Sequence, residues 1–369
     1  MSKYRVLMLV PDMRAANGVA SFAINYFRNL DHKKVQMDFA LYSDLPSPYY
    51  EEIRRAGSNI FVLPNIKNLA KHLQACNRIL KRGHYDVIHD NTMHITIPMM
   101  FCAMCNHVPV RILHSHSSKL GATRIKEIRN LIFLPLLCYP ATDYLACSDL
   151  AGRMLFGNHL FTVVPNVISA KKFYFDEKRR NETRLKMNAQ FKCIVGSVGR
   201  LAIEKNPFFA IDIFKVFLSL MPNAEYWWIG DGPLNEEVKQ YVHKKGLDHS
   251  VKLLGSRTDV TDLYQAMDVF FFPSRFEGLG ITGVEAQAMG LPMVVSDAVP
   301  KEMIYTDLAD RVSLDAAPEI WAEHLKDAAA RQVDRINYAE DLKTSHYSDT
   351  GCGERMVEIY KQLLSMDTI

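Results

Sequence analysis

Long apolar runs are missing from these 369 residues, although 48% of them are apolar. None reaches the ~18 needed to span a bilayer, so a membrane-crossing helix is not expected. A dominant charge is missing too. Lys plus Arg number 44 against 41 Asp plus Glu, too even a balance for the concentrated basic surface that nucleic acid requires. Met1-Ser2-Lys3-Tyr4 leads straight into a short strand with no apolar leader, so a cytoplasmic protein is expected. Cysteine is sparse and odd in number, at 76, 102, 105, 138, 147, 193 and 352. Cys102 and Cys105 form a C-x-x-C, but no second pair follows at zinc-ribbon spacing, and Met99, Met100 and Met104 point to a buried helix. All seven are read as reduced core thiols. Low-complexity tracts and repeats of solenoid period are absent.

What is present is an alternation of short β-rich apolar runs with longer segments of helical period, the pattern of an α/β protein. Strands are expected at about 4–10, 36–42, 59–63, 86–89, 109–114, 143–147 and 161–164, closing a first domain at residue 167. The polar stretch 167–192 reads as a linker and an entering helix. A second series follows at 193–198, 225–229, 251–254, 268–272, 292–296 and 311–314, giving a second domain over 168–352. A last helix, about 353–369, carries Met356, Ile359, Tyr360, Leu363 and Leu364 on one face and is expected to cross back onto the first domain.

The chain is organised around residues 276–292. The buried-strand run Asp268–Phe272 feeds a loop with Gly278 and Gly280, and a helix opens at Ile281, Thr282 and Gly283 and stops at Gly290 and Pro292. Bare backbone at such a helix start lets unpaired N–H groups approach an anion. Glu277 and Glu285 flank it, as partners for sugar hydroxyls or, in the plainer reading, as a dipole-complementing acid and a solvated helix position. Other strand exits repeat the theme. Gly199-Arg200 and Lys205 leave one strand, Gly230-Asp231-Gly232 a second, and Arg257-Thr258 a third. Ligands of open parallel sheets bind outside the carboxyl ends of the strands, so these loops are expected along one edge. In the first half, Asn17-Gly18 opens a helix after the first strand, and His114 and His116 lie at another strand exit.

In this order and spacing, G-R-x-x-x-E-K from Gly199, G-D-G-P-L from Gly230, G-x-R-x-D-V from Gly255 and F-E-G-x-G-x-x-x-x-E from Phe276 resemble the donor half of retaining GT-B glycosyltransferases of family 4 (glycosyl transferase group 1). Val164-Pro165-Asn166-Val167 resembles that family's entry to the second domain. The resemblance covers nearly the whole chain and is nearest to enzymes of capsule and exopolysaccharide assembly. It implies two Rossmann-like domains facing a deep cleft, and a nucleoside-diphosphate sugar, by family habit a UDP-sugar, as donor. By position, Arg200 and Lys205 would hold the diphosphate, Glu285 the ribose and Glu277 the transferred sugar. Gly18, Gly199, Gly230, Gly278, Gly280, Ile281 and Thr282 would line the donor, and the backbone at Arg257 and Thr258 would meet the base. His116, with His114 as runner-up, would lie beside the reacting sugar. Asn17-Gly18 departs from the family's usual Gly-Gly.

No D-x-D stands at a strand end; Asp149-Leu150 is as near as the chain comes. The resemblance thus implies metal-independent transfer without a cofactor, to a saccharide or lipid-linked acceptor. The stretch 124–137 joins basic residues to an apolar block that suits peripheral contact with the inner face of the membrane, or equally a helix packed into the first domain. A nicotinamide-dependent dehydrogenase fits poorly, because neither Gly196–Gly199 nor Gly230–Gly232 completes G-x-G-x-x-G. A sugar-nucleotide epimerase of the same fold and a non-catalytic nucleotide-binding subunit are the alternatives. The intact Arg200, Lys205, Glu277 and Glu285 weigh against the latter.

Overall fold

Strands buried on both faces read as continuous apolar runs, and this property sets the architecture. The computed structural model describes residues 3–14, 17–121 and 124–366, without the side chains of His94 and Lys126. Residues 15 and 16, between the first strand and the helix opened by Asn17-Gly18, and the last three residues of the expected final helix lie outside the described residues. The chain divides into two compact units, residues 1–167 with 349–369 and residues 168–348.

In the first unit the described strands are β1 (Tyr4–Val10), β2 (Val35–Leu41), β3 (Ile60–Val62), β4 (Val87–Asp90), β5 (Val110–Ser115), β6 (Asp143–Ala146) and β7 (Thr162–Val163). They form one parallel sheet in the order β3-β2-β1-β4-β5-β6-β7. The second unit contains β8 (Cys193–Val198), β9 (Ala224–Ile229), β10 (Val251–Leu253), β11 (Val269–Phe272), β12 (Met293–Ser296) and β13 (Ala309–Val312), all parallel and ordered β10-β9-β8-β11-β12-β13. Both orders are those of a doubly wound sheet. The strand order reverses between β1 and β4 in one unit and between β8 and β11 in the other, which opens a ligand crevice at the carboxyl ends of those strands.

The helix Gly18–Asn29 starts at Asn17, whose side chain accepts the Val19 N–H at 3.0 Å. It carries Phe22, Tyr26 and Phe27 into the core of the first unit, where the C-terminal helix Cys352–Met366 adds Cys352, Met356 and Tyr360. The two helices pack closely because residue 353 is glycine: a Cβ there would lie 1.7 Å from the Asn29 carbonyl oxygen. The stretch expected as a linker and an entering helix contains that helix, which belongs to the second unit. Its helix Glu177–Lys186 docks through Arg184, which donates to the Ala266 carbonyl at 2.7 Å and, with Arg180, pairs with Asp268.

Four of the seven cysteines are buried, Cys138 and Cys193 are half-buried, and one departs outright from the reading. Cys105 is exposed, at the end of the helix Ile97–Cys105, while Cys102 one turn earlier is buried. A three-residue step on a surface helix carries a side chain only part of the way back to the same face. No described helix is long and apolar enough to cross a membrane.

Candidate active site

At the β8/β11 reversal two loops are laced together. The Arg275 N–H donates to the Glu204 carbonyl at 2.8 Å, Arg275 Nε donates to Asn206 Oδ1 at 3.0 Å, and Asn206 Nδ2 reaches the Pro273 carbonyl at 3.3 Å. Asn206 takes the left-handed conformation, φ 58°, that ends the short turn Ile203–Lys205 and starts the next helix at Pro207. This lacing brings Lys205 Nζ to 2.6 Å from Glu277 Oε1, and the ammonium sits 5.1 Å from the centroid of the Phe272 ring. Both charged side chains are shielded, Lys205 at 16% and Glu277 at 11% exposure. Gly199 matters here, since a Cβ on it would lie 3.1 Å from Lys205 Cε.

Glu285 stands on the helix Ile281–Ala288, half-buried, with the Tyr264 hydroxyl 2.9 Å from its Oε2. Burial raises its pKa from 4.5 to about 7, against the opposing pull of the Tyr264 hydrogen bond and the nearby Lys205 charge. It is therefore not the solvated position of the plainer reading. The folded chain holds this proton more tightly than the unfolded chain. The group therefore favours folding fully below about pH 4.5, and its contribution is lost as pH rises through about 7. Glu285→Gln is expected to abolish that fall; denaturant midpoints of both proteins at about pH 5 and pH 8 measure it.

The glycines at this helix also serve packing. A Cβ on Gly283 would lie 2.2 Å from Met303 Sδ, and one on Gly280, at φ 89°, would lie 3.0 Å from Met303 Sδ and 3.1 Å from the Phe272 ring. Their bare sides face the interior of the unit and allow tight packing there. The N–H groups of Gly283 and Val284 are taken by the Gly280 carbonyl, at 2.8 and 3.4 Å. Those of Ile281 and Thr282 have no carbonyl partner among the described residues. Gly230 serves close approach as well, because a Cβ on it would lie 2.2 Å from the Gly199 carbonyl oxygen. Its N–H donates to the Gly255 carbonyl at 2.8 Å and the Gly199 N–H to the Ile229 carbonyl at 2.9 Å, which together tie the exits of β8, β9 and β10 along one edge.

The structure thus gathers Lys205, Glu277 and Glu285. Arg200 is not drawn in: it is 58% exposed and pairs with Glu204 at 2.7 Å. Arg257 is likewise held within its own loop, by a two-bond fork to Asp259 at 2.8 and 2.6 Å, and Thr258 is exposed. Gly278 lies in the loop between Glu277 and the helix. In the first unit Gly18 is exposed and a Cβ on it would meet nothing within 4 Å.

At the exits of β4 and β5 the first unit holds a stack of three imidazoles. His116 lies over His114 with ring centroids 4.1 Å apart, and His114 over His89 at 5.2 Å. Phe22 meets His114 and His116 edge-on at 4.7 and 4.9 Å. Burial lowers the pKa of His116 and His89 to about 3 and holds that of His114 well below its ordinary value, so all three rings are neutral at pH 7. His116 Nε2 is 2.8 Å from Asn91 Oδ1, and His89 Nδ1 is 2.8 Å from the Tyr360 hydroxyl. Among the described residues, no three His, Cys, Asp or Glu side chains gather as metal ligands. Asn91, His89, Tyr264 and Tyr360 escaped the sequence reading. The polar run His89-Asp90-Asn91 at a strand exit was the signal available for two of them. Nothing local marks the tyrosine hydroxyls.

Residues 179–343 match the family model of glycosyl transferases group 1. EpsF of Bacillus subtilis (strain 168), assigned to the glycosyltransferases, is 31% identical over 341 residues, covering 89% of this chain and 88% of that protein. The UDP-Gal:alpha-D-GlcNAc-diphosphoundecaprenol alpha-1,3-galactosyltransferase of Escherichia coli is 25% identical over 304 residues, 77% of each chain. Among solved structures, HepE of Anabaena in complex with UDP-glucose superposes with a TM-score of 0.81, covering 97% of this chain and 99% of that one at 17% identity, a likeness of fold. With two doubly wound parallel sheets and a relative of this closeness along nearly its whole length, the chain belongs to the group 1 glycosyl transferases of GT-B fold.

Proposed function

We propose that the chain moves a hexose from a UDP-sugar, with retention of anomeric configuration and without a metal, to a glycan or lipid-linked saccharide in polysaccharide biosynthesis. The observation that carries this reading is the cluster of Lys205, Glu277 and Glu285 at the β8/β11 reversal, where a phosphate-bearing ligand of a doubly wound sheet belongs. The names of the two relatives with a stated nucleotide sugar, one of which takes a diphosphoundecaprenol-linked acceptor, support the choice of donor and acceptor.

In this reading the bond from the anomeric carbon to the diphosphate breaks, and negative charge grows on the departing oxygen as positive charge spreads over the sugar ring. Lys205 and the N–H groups of Ile281 and Thr282 are fixed dipoles and charge for that oxygen, and need no rearrangement to meet it. Arg200 lies on the same loop and exchanges Glu204 for a phosphate oxygen. Glu277 orients the sugar and Glu285 accepts from the ribose. The acceptor hydroxyl attacks from the face the diphosphate leaves and gives its proton to a diphosphate oxygen, which keeps the configuration. His116 accepts a hydrogen bond from a sugar hydroxyl. The test is a panel of UDP-sugars offered with a polyprenyl-diphosphate-linked saccharide in EDTA. An axial product linkage from an axial donor is expected; an inverted linkage, loss of turnover in EDTA, or conversion of the donor without an acceptor counts against it.

We also propose that the helix Arg124–Cys138 rests on an anionic membrane. Among its described side chains only Asn130 and Leu137 are buried, whereas Ile125 is 82% and Ile132 69% exposed, with Ile128, Leu131, Phe133 and Leu136 exposed beside them. Arg124 and Arg129 supply positive charge at the N-terminal half. Ile128→Asp with Ile132→Asp is expected to release the protein from vesicles containing phosphatidylglycerol in a sedimentation assay. Undiminished binding would refute this contact.

A further inference from the structure

The hydrogen bonds around Asn91 settle how His116 is protonated. Asn91 Nδ2 lies 3.1 Å from the Leu9 carbonyl and 3.2 Å from the His89 carbonyl, both acceptors, so the amide nitrogen points to them and Oδ1 points to His116. An amide oxygen only accepts, so His116 Nε2 carries the proton. The ring is neutral, which leaves Nδ1 with its lone pair, and no partner for Nδ1 is present among the described residues. Rotation of the ring plane is restricted separately. The face of His116 lies on His114, His114 Nδ1 is 3.0 Å from His89 Nε2, and His89 Nδ1 is 2.8 Å from the hydroxyl of Tyr360 on the C-terminal helix. Phe22 closes the edge of the stack.

We infer that Asn91, His114, His89 and Tyr360 are positioning residues that present His116 Nδ1 as a fixed hydrogen-bond acceptor for a hydroxyl of the transferred sugar. The identity of that hydroxyl's owner rests on the function proposed above; the fixed tautomer does not. Asn91 prevents the ring flip that would exchange Nδ1 and Nε2. The stack, anchored on Tyr360, keeps the ring from tilting. The C-terminal helix, which the chain reaches only after completing the second unit, thereby becomes part of the support of a site in the first. Positioning of this kind acts on the rate of the chemical step more than on donor affinity.

The test combines long-range nitrogen–proton spectra of the imidazoles, recorded on the full chain, with kinetics. The wild type is expected to show His116 as one tautomer, with Nε2 protonated and Nδ1 bare. In Asn91→Ala both tautomers are expected, with kcat lower by roughly tenfold and the donor KM changed by less than about twofold. Tyr360→Phe keeps the ring and its packing, and is the variant to use if Asn91→Ala does not fold. It should shift the His89 and His114 resonances and lower kcat by a smaller factor, again with KM held. A single unaltered His116 tautomer and unchanged kcat in both variants would overturn the inference. If the wild type transfers no sugar yet the tautomers mix in Asn91→Ala, the network stands and only the sugar assignment falls.

Discussion

Replacing Lys205 by alanine is expected to slow sugar transfer by about 10²- to 10³-fold, the usual cost of removing one preorganised group that meets charge developing on a leaving oxygen. Two consequences add up at this position. The departing diphosphate loses its nearest shielded cation. Glu277, 2.6 Å away in the wild type, loses its partner, and Glu285, whose pKa Lys205 holds down, becomes harder to ionise. The pocket that should attract a diphosphate then presents the unbalanced carboxylate of Glu277. Breaking so shielded a pair from one side costs up to about 3 kcal/mol of stability, so the double variant Lys205→Ala with Glu277→Gln separates the two effects. It should regain stability without regaining transfer. Recovery of transfer in the double variant would reduce Lys205 to a partner for Glu277. The comparison is made by steady-state kinetics beside denaturant unfolding.

The second large effect is expected far from any phosphate. Gly353→Ala places a methyl group 1.7 Å from the Asn29 carbonyl oxygen, 2.4 Å from its carbon and 3.0 Å from the Leu30 nitrogen. All three are backbone atoms at the end of the helix Gly18–Asn29, so no rotamer change relieves the clash and one helix must move. A loss of about 3 kcal/mol follows from overpacking of this kind. The same movement pulls on Met356 and Tyr360, so turnover should fall together with the thermal midpoint. Calorimetry beside a turnover assay checks both. A variant with wild-type stability would mean that the two helices do not need this contact.

Much of the fold was legible because buried parallel strands are apolar from end to end. Strand β8 has the bounds its sequence indicates, Cys193–Val198, and β1 likewise. Legibility fell at the sheet edges. Strand β3 shrinks to Ile60–Val62 and β13 shifts to Ala309–Val312, since an edge strand with half-buried residues such as Ile60 and Arg311 carries a weak pattern. In the second unit Lys205, Glu277 and Glu285 were named from loop chemistry and spacing, and the structure places them together. Which side of a glycine is bare cannot be read from spacing, so the packing of Gly280 and Gly283 against Met303, and of Gly280 against Phe272, was not legible. Spacing also does not show that Arg200 and Arg257 each have a carboxylate within reach on their own loop. The imidazole stack joins positions 25 residues apart in sequence, His89 and Tyr360 are 271 apart, and no local pattern carries such a pairing.

Nucleotide binding tests the central claim most directly. The purified full chain is heated with UDP, GDP, ADP, dTDP or NAD in EDTA, and the Lys205→Ala variant is treated in the same way. A ligand at 100 times its Kd stabilises the folded state by about 2.7 kcal/mol, which displaces the midpoint visibly. A clear upward shift with UDP, little with NAD, and loss of the UDP shift in Lys205→Ala are expected. A shift with NAD alone, or none with any nucleoside diphosphate, would contradict that claim.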